Sequence, residues 1–435
     1  PLADFFDLFV IGEAEDAIIR IIDTCRRFKD SVQVAQANKR DLLIGLSQIE
    51  GVYVPALFDV EYDSSGRIKM FSANDSRVRP KVKKIYVKDF NISHFPVKWL
   101  VPYSQIVNDR ITLELMRGCP NRCRFCQARQ YYSPFRYRDP QVLLETASRA
   151  YACSGYEEIS LGGLSVSDYP HIKDFVSQMV SCFKEKSVGI SLPSIKPKDL
   201  VGDLSLLIST VKKTGLTFAP EAGTDRLREI LGKDFDAQDL LRAVEDAYQL
   251  GWQHIKLYFM IGIPSETTSD LDSIISMANE MSMLRKKIGK GPAEVNLSIN
   301  TIIPKPHTSF QWEGMLSLEE ITQRQDYLKK NNKNRRIKID FHNRYMSLIE
   351  AAFSRGDRRL GEVILSAFKM GARFDSWGNY FVFERWLEAF ASAGLNLDFY
   401  LRSREFDEIL PWDFIDTGVD RCFLVREARL VRGEQ

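Results

Sequence analysis

Apolar residues change their spacing segment by segment along this chain, and the changes mark out its elements. Phe6 to Ile11 is apolar but for Asp7, ends at Gly12 and reads as a strand. Glu13-Ala14-Glu15-Asp16 follows, then helical spacing through Ile18, Ile19, Ile22 and Phe28, with acidic residues where they complement the helix dipole. Pro55 to Tyr103 alternates short strands with turn signals such as Asp63-Ser64-Ser65-Gly66 and reads as an irregular linker. From Arg110 to Pro306 the pattern becomes regular: strand, turn, helix. Strands are expected at Ile111 to Met116, Glu157 to Leu161, Val188 to Leu192, Leu216 to Ala219, His254 to Ile261 and Ala293 to Ile303. Asp139-Pro140 opens one intervening helix that Gly155 closes, and Asp236 opens another that Gly251 closes. After Pro306 come a helix over Ser317 to Lys329, a strand over Arg336 to Phe341, and amphipathic helices over Met346 to Met370 and Tyr380 to Ala393.

This alternation specifies an α/β fold with a parallel sheet and right-handed crossovers, about six units long, followed by a mostly helical domain. Several strands alternate polar with apolar residues: Glu114 with Met116, Lys256 with Tyr258, and Asn296, Ser298 and Asn300. In a TIM-like barrel such inward polar groups line a cavity at the C-terminal strand ends.

Composition narrows the class. The 435 residues are 44% hydrophobic and 27% charged, enough for two or three cored domains. Sixty basic residues against 58 acidic ones give +2, so no global field announces nucleic acid or membrane. Basic runs at Arg79 to Lys88 and Lys329 to Lys338 fit solvated faces or amphipathic strands. No apolar run reaches the ~18 residues of a membrane span and no signal peptide is evident.

Cysteine usage carries the chemistry. Cys119, Cys123 and Cys126, in Arg117-Gly118-Cys119-Pro120-Asn121-Arg122-Cys123-Arg124-Phe125-Cys126, have three and then two residues between them, on a loop after the first barrel strand. Thiolates hold iron-sulfur clusters, usually four per cubane, so three leave one iron open to a substrate or cofactor. A structural zinc site wants four Cys or His ligands, and no second CxxC or HxxxH follows nearby; three core cysteines gathered by chance are the remaining alternative. Cys25, Cys153, Cys182 and Cys422 are scattered and read as small hydrophobes. An oxygen-sensitive cluster places the chain in the cytoplasm.

The CxxxCxxC loop resembles the signature of the radical S-adenosylmethionine superfamily. Glu114 to Ala128, Thr217-Phe218-Ala219-Pro220-Glu221-Ala222-Gly223, Lys256 to Thr267 and Pro304-Lys305-Pro306-His307-Thr308 are more closely similar to a branch without a known substrate, whose members carry a cobalamin-binding-like domain ahead of the barrel. The resemblance implies a partial (βα)6 TIM-like barrel over 110–306, a remnant of the cobalamin-binding-like α/β domain over 1–48, a linker over 49–109 and a mostly helical C-terminal domain over 307–435. It implies a 4Fe-4S cluster on Cys119, Cys123 and Cys126, with S-adenosylmethionine chelating the fourth iron.

The same resemblance assigns cofactor contacts. Phe125 packs near the adenine or anchors the loop. Gly162 and Gly163 receive the methionyl amine through backbone carbonyls, since Leu164 stands where many relatives have an acid. Glu221 is a ribose or methionyl contact or else caps a helix, and Met260 to Gly262 form an adenine platform. Lys256, Tyr258 and Glu114 are the catalytic candidates, with a buried, paired structural role as the alternative for the lysine. No DxHxxG occurs, so no cobalt-ligating histidine is assigned; the chain is expected to be truncated at both ends, and cobalamin belongs to a longer native chain.

Three functions follow. The first is a radical enzyme that methylates, methylthiolates or alkylates RNA or a protein, with an electron donor such as flavodoxin or ferredoxin. The second acts on a small metabolite, which the near-neutral charge suits. The third is a non-catalytic iron-sulfur electron-transfer module, which needs neither an open iron nor a polar cavity.

Overall fold

The computed structural model describes residues 1–33, 38–104, 106–193, 196–200, 216–289 and 291–434. Seven parallel strands organise it: β1 (Ile111–Glu114), β2 (Glu158–Gly162), β3 (Gly189–Ser191), β4 (Leu216–Glu221), β5 (His254–Ile261), β6 (Glu294–Thr301) and β7 (Ile337–Phe341). They pair in the orders β3-β2-β1 and β4-β5-β6-β7. Helices between them have the expected stops: Gly155 ends Pro140–Ser154 in the left-handed conformation, and Asp236 caps Ala237–Gln249 reciprocally with Asp239.

Alternation along each strand sorts its residues onto two faces. Ile255, Leu257, Phe259 and Ile261 of β5 are buried with Val295, Leu297 and Ile299 of β6 against helix residues Leu240, Val244, Ile274 and Met281. The other face carries Thr217, Lys256, Asn296 and Lys338 in one register row, and Tyr258, Ser298 and Asp340 in the next. The hydrophobic core therefore lies between sheet and helices, and the inner face is polar.

The expected sixfold unit needs one correction. β7, read as part of the C-terminal domain, pairs along its length with β6, and Ile337 joins the barrel core. The boundary at 306 thus cuts through the sheet, because Ile337 and Ile339 alternate with Lys338 and Asp340 in the period their neighbours share.

The stretch expected to be a linker has a core of its own. Phe58–Tyr62 and Ile68–Ala73 form an antiparallel hairpin, turned by the Asp63 carboxylate accepting from the Ser65 and Arg67 amides. Val52, Tyr53, Val54, Leu57, Phe58, Val78 and Val82 are buried with Leu43, Ile44 and Leu46, so residues on both sides of the expected boundary near 48 share one apolar cluster. Phe414 stacks on Phe71 at 4.4 Å, which makes the aromatic tail packing. The strand expected over Phe6 to Ile11 shrinks to Phe9–Val10, the two residues that find partners, in Val52–Tyr53, while Phe5 and Phe6 stay exposed.

Beyond the sheet the chain is helical. The helix expected over Met346 to Met370 breaks into Arg344–Arg355 and Leu360–Lys369, and the buried Arg355 gives its guanidinium to the carbonyls of Glu313, Tyr400 and Arg402. Arg421–Arg432 closes the chain. Among the described residues no helix is long and apolar enough to cross a membrane.

Candidate functional site

The three-cysteine loop leaves the sheet where β1 ends. Leu115 donates to the Gly162 carbonyl at 2.9 Å, and Met116–Arg117 then pairs antiparallel with Arg136–Tyr137, closing residues 118–135 into one excursion. Gly118 turns it at φ 84°, where a Cβ would sit 2.9 Å from the Tyr132 and Pro134 carbonyl oxygens.

The far side of the loop is pressed onto the helix that follows β4. The Arg124 amide donates to the Leu231 carbonyl at 2.9 Å, and its guanidinium reaches the Glu229 and Ile230 carbonyls and the Glu427 carboxylate. These carbonyls are at the end of helix Asp225–Leu231, where acceptors lack helical partners and the dipole favours a cation. Gly232 permits the approach, since a Cβ there would stand 2.4 Å from the Arg122 oxygen.

Lys233, next in the chain, enters the site. Its Nζ donates to the Ala219 carbonyl at 3.1 Å and to the Glu221 carboxylate at 3.2 Å, and stands 5.8 Å from the Phe125 ring centre. Glu221 itself has φ 67°, a strained conformation for a side chain, after a register shift in β4. Burial works against the Lys233 charge, but Glu221 and the neighbouring thiols outweigh it and raise its pKa. Burial pushes the Cys123 thiol up to about 11, with Lys233 opposing. The helix-capping reading of Glu221 does not hold, because Thr224 caps that helix.

Phe125 and Met260 meet in one apolar cluster with Ala222, Leu227, Ile263 and Ile302. Gly262 follows at φ 85° and donates its amide to the buried Glu266 carboxylate, which Arg324 also binds. Gly162 ends β2 and Gly163 follows it, the first with its carbonyl already an acceptor in the sheet and the second packed on Met116. Glu114 holds Arg117 through two hydrogen bonds of 2.8 and 3.1 Å. Lys256, set against a buried alternative, is exposed and lies over the Tyr258 ring at 4.7 Å. The structure thus brings the cysteine loop, Phe125, Glu221, Met260 and Gly262 to one end of the sheet, with Lys256 and Tyr258 further down the inner face.

The thiols suit a cluster better than a single ion. A lone zinc needs its ligands about 2.3 Å from one point. Among the described residues no three His, Cys, Asp or Glu side chains are gathered to share one ion. A cubane instead takes each thiolate on its own iron, as three cysteines spaced along one loop allow.

Lys233, Arg124, Asn121, Asp168 and Lys196 are site residues that the sequence did not single out. Asn121 and Arg124 lie inside the motif itself; Asp168, Lys196 and Lys233 follow other strands and have no spacing that ties them to the cysteines. The basic run Lys329 to Lys338 enters β7 from the N-terminal side of the sheet, the end opposite the cysteine loop. In the other run, Lys84 is buried, bound to the Gln130 and Ser133 carbonyls.

Comparison with known proteins bears on this geometry. Residues 113–278 match the family described as Radical SAM superfamily, and residues 1–55 match Radical SAM proteins, N-terminal. An uncharacterized protein of Methanocaldococcus jannaschii is 31% identical over 368 residues, 84% of this chain and 70% of that one. Ribosomal protein uS12 methylthiotransferase RimO of Desulforudis audaxviator is 26% identical over 185 residues, 40% of each chain. A radical S-adenosylmethionine methyltransferase of Kitasatospora setae, solved with cobalamin and a 4Fe-4S cluster, aligns at 12% identity and TM-score 0.43 over 68% of this chain and 54% of that one. The chain thus spans about half of that structure and two fifths of the methylthiotransferase.

Proposed function

The chain belongs to the radical S-adenosylmethionine superfamily, and from that premise we propose that it transfers a methyl, methylthio or other alkyl group to a macromolecule, RNA or protein, laid against the inner face of the sheet. Once bound, the 4Fe-4S cluster and S-adenosylmethionine supply reductive cleavage of the sulfonium and hydrogen abstraction by the resulting radical. Cys119, Cys123 and Cys126 hold three irons. Phe125 and Met260 would form the apolar wall for the adenine, Glu221, steadied by Lys233, would receive the ribose or methionyl group, and the Gly163 carbonyl would accept from the methionyl amine. Arg124 and Gly118 keep the loop closed on the sheet. A low-potential donor such as flavodoxin or ferredoxin delivers the electron.

One observation carries the substrate class: the polar inner face is open. Thr217, Lys256, Asn300, Lys338 and Asp340 are exposed and Tyr258, Asn296 and Ser298 half-buried, whereas sites for small molecules bury most of their ligand. The methylthiotransferase relative, named for its action on a ribosomal protein, supports the same class. Mass spectrometry of digested RNA and protein from cells with and without the gene tests it. A modification lost with the gene is expected; unchanged RNA and protein beside an accumulating metabolite would move the reading to small molecules.

A further inference from the structure

Cys119 accepts a hydrogen bond at 3.2 Å from the side-chain amide of Asn121, two residues along the same loop. The amide is held from three sides. Its Nδ2 also donates to Asp168 Oδ2 at 2.7 Å and lies 3.3 Å from Ser165 Oγ, and the Ser165 hydroxyl donates to the same carboxylate oxygen at 2.6 Å. Lys196 Nζ donates to Asn121 Oδ1 at 3.1 Å and to Asp168 Oδ1 at 2.6 Å. The contributors follow the ends of three successive strands: Asn121 after β1, Ser165 and Asp168 after β2, Lys196 after β3.

This network decides which way the amide points. Lys196 is a donor only and needs the carbonyl oxygen; Asp168, paired with Lys196, accepts and needs the NH2 group. A flipped amide would set donor against donor at Lys196 and acceptor against acceptor at Asp168. The N–H directed at Cys119 is therefore fixed by partners that do not themselves touch the sulfur. Holding the loop in shape would not require a donor aimed at a thiol.

Resting on the assignment of Cys119 as an iron ligand, we infer that Asn121 is a positioning residue that sets the reduction potential of the cluster through its hydrogen bond to the Cys119 sulfur. Hydrogen bonds to cluster sulfurs are among the features that set such potentials. A donor withdraws charge from the thiolate and favours the more negative, reduced state, so it eases the one-electron step that starts turnover.

Asn121→Ala tests this in the anaerobically reconstituted chain, with the midpoint followed by electron paramagnetic resonance and iron and sulfide counted per chain. The expected result is full iron content with a lower midpoint, by up to a tenfold change in the reduction equilibrium, about 59 mV for one electron. Asn121→Asp, which keeps the shape but turns an anionic oxygen on the sulfur, should lower it further, and it carries the measurement if the alanine variant holds no cluster. Midpoints equal to wild type at equal iron content, or raised ones, would overturn the inference. Failure of the wild type to take up four irons would instead remove the ligand assignment, a distinct outcome read before any variant is compared.

Discussion

The two faces of the β4 to β7 sheet obey one alternation and do different work. On the outer face Phe218, Ile255, Leu257, Phe259, Val295 and Leu297 are at most 1% exposed and are covered by helices. On the inner face Thr217, Lys256, Asn300, Lys338 and Asp340 are exposed. Burial of apolar area dominates folding stability, so the outer face should hold the molecule together and contribute little to specificity. The inner face, with its end under the cysteine loop, should contribute little to stability and most of the chemistry.

The sharpest break of that division lies at the loop. Alanine at Cys119, Cys123 or Cys126 should each abolish the cluster and all cleavage of S-adenosylmethionine, while alanine at Cys25, Cys153, Cys182 or Cys422 leaves iron content unchanged. Iron and sulfide analysis after anaerobic reconstitution decides it; full iron in a triple alanine variant would end the three-ligand assignment. On the outer face Phe259→Ala removes a ring 1% exposed and should cost about 3–5 kcal/mol in denaturant unfolding. An effect below about 1 kcal/mol would mean that the core is not where the alternation puts it.

Glu221 joins the two regions. It terminates a core strand yet turns its carboxylate to Lys233 at the mouth. Glu221→Gln should lower the unfolding midpoint, because it leaves the buried Lys233 ammonium without its carboxylate, and should also weaken S-adenosylmethionine binding roughly tenfold, about 1.4 kcal/mol, by equilibrium dialysis. Lost stability with intact binding would assign the pair to structure alone.

This division also explains what the sequence disclosed. Strands such as His254–Ile261 were readable to the residue because their outer positions must be apolar in period two while flanking helices stop at Gly155 and near Gly251. The cysteine loop was readable because ligand spacing is local. Lys233 and Asp168 were not, since each arrives from a different strand end and only the tertiary fold sets them beside the loop. The segment read as a linker failed for a related reason: its strands Val52–Tyr53 and Val82–Lys83 are two residues each, and the partners of Tyr53 and Val82 lie at Phe9 and Ile415, hundreds of residues apart in the second case. The seventh strand was read as a strand but not placed, because pairing with β6 depends on register that no local pattern carries.

His307 offers a pH test where the sheet meets the C-terminal unit. Burial, with Lys84 adding to it, brings the imidazole down to about 4 from its ordinary 6.5, and its ring lies 6.5 Å from that of Trp412. The unfolded chain takes this proton first, so its contribution is fully present above the ordinary imidazole range and is lost as pH falls toward about 4. Thermal unfolding of wild type should drop more steeply over that interval than unfolding of His307→Gln. Parallel profiles would show that the ring is not buried as described.

The smallest stability effect should come from Lys256, and it discriminates most finely between the faces. The side chain is exposed, so its removal opens no cavity and strands no buried charge; the contact it gives up is with the Tyr258 ring, worth about 0.5–1 kcal/mol at most at an exposed site. Lys256→Ala should therefore unfold within about 0.5–1 kcal/mol of wild type while lowering the yield of modified substrate relative to S-adenosylmethionine consumed, because the cofactor contacts lie at the strand ends and Lys256 lies further down the face. Cleavage without transfer would place Lys256 on the substrate side of the site. Equal loss of cleavage and transfer would place it with the cofactor, and a cost above about 2 kcal/mol would show that the inner face shares the structural burden after all.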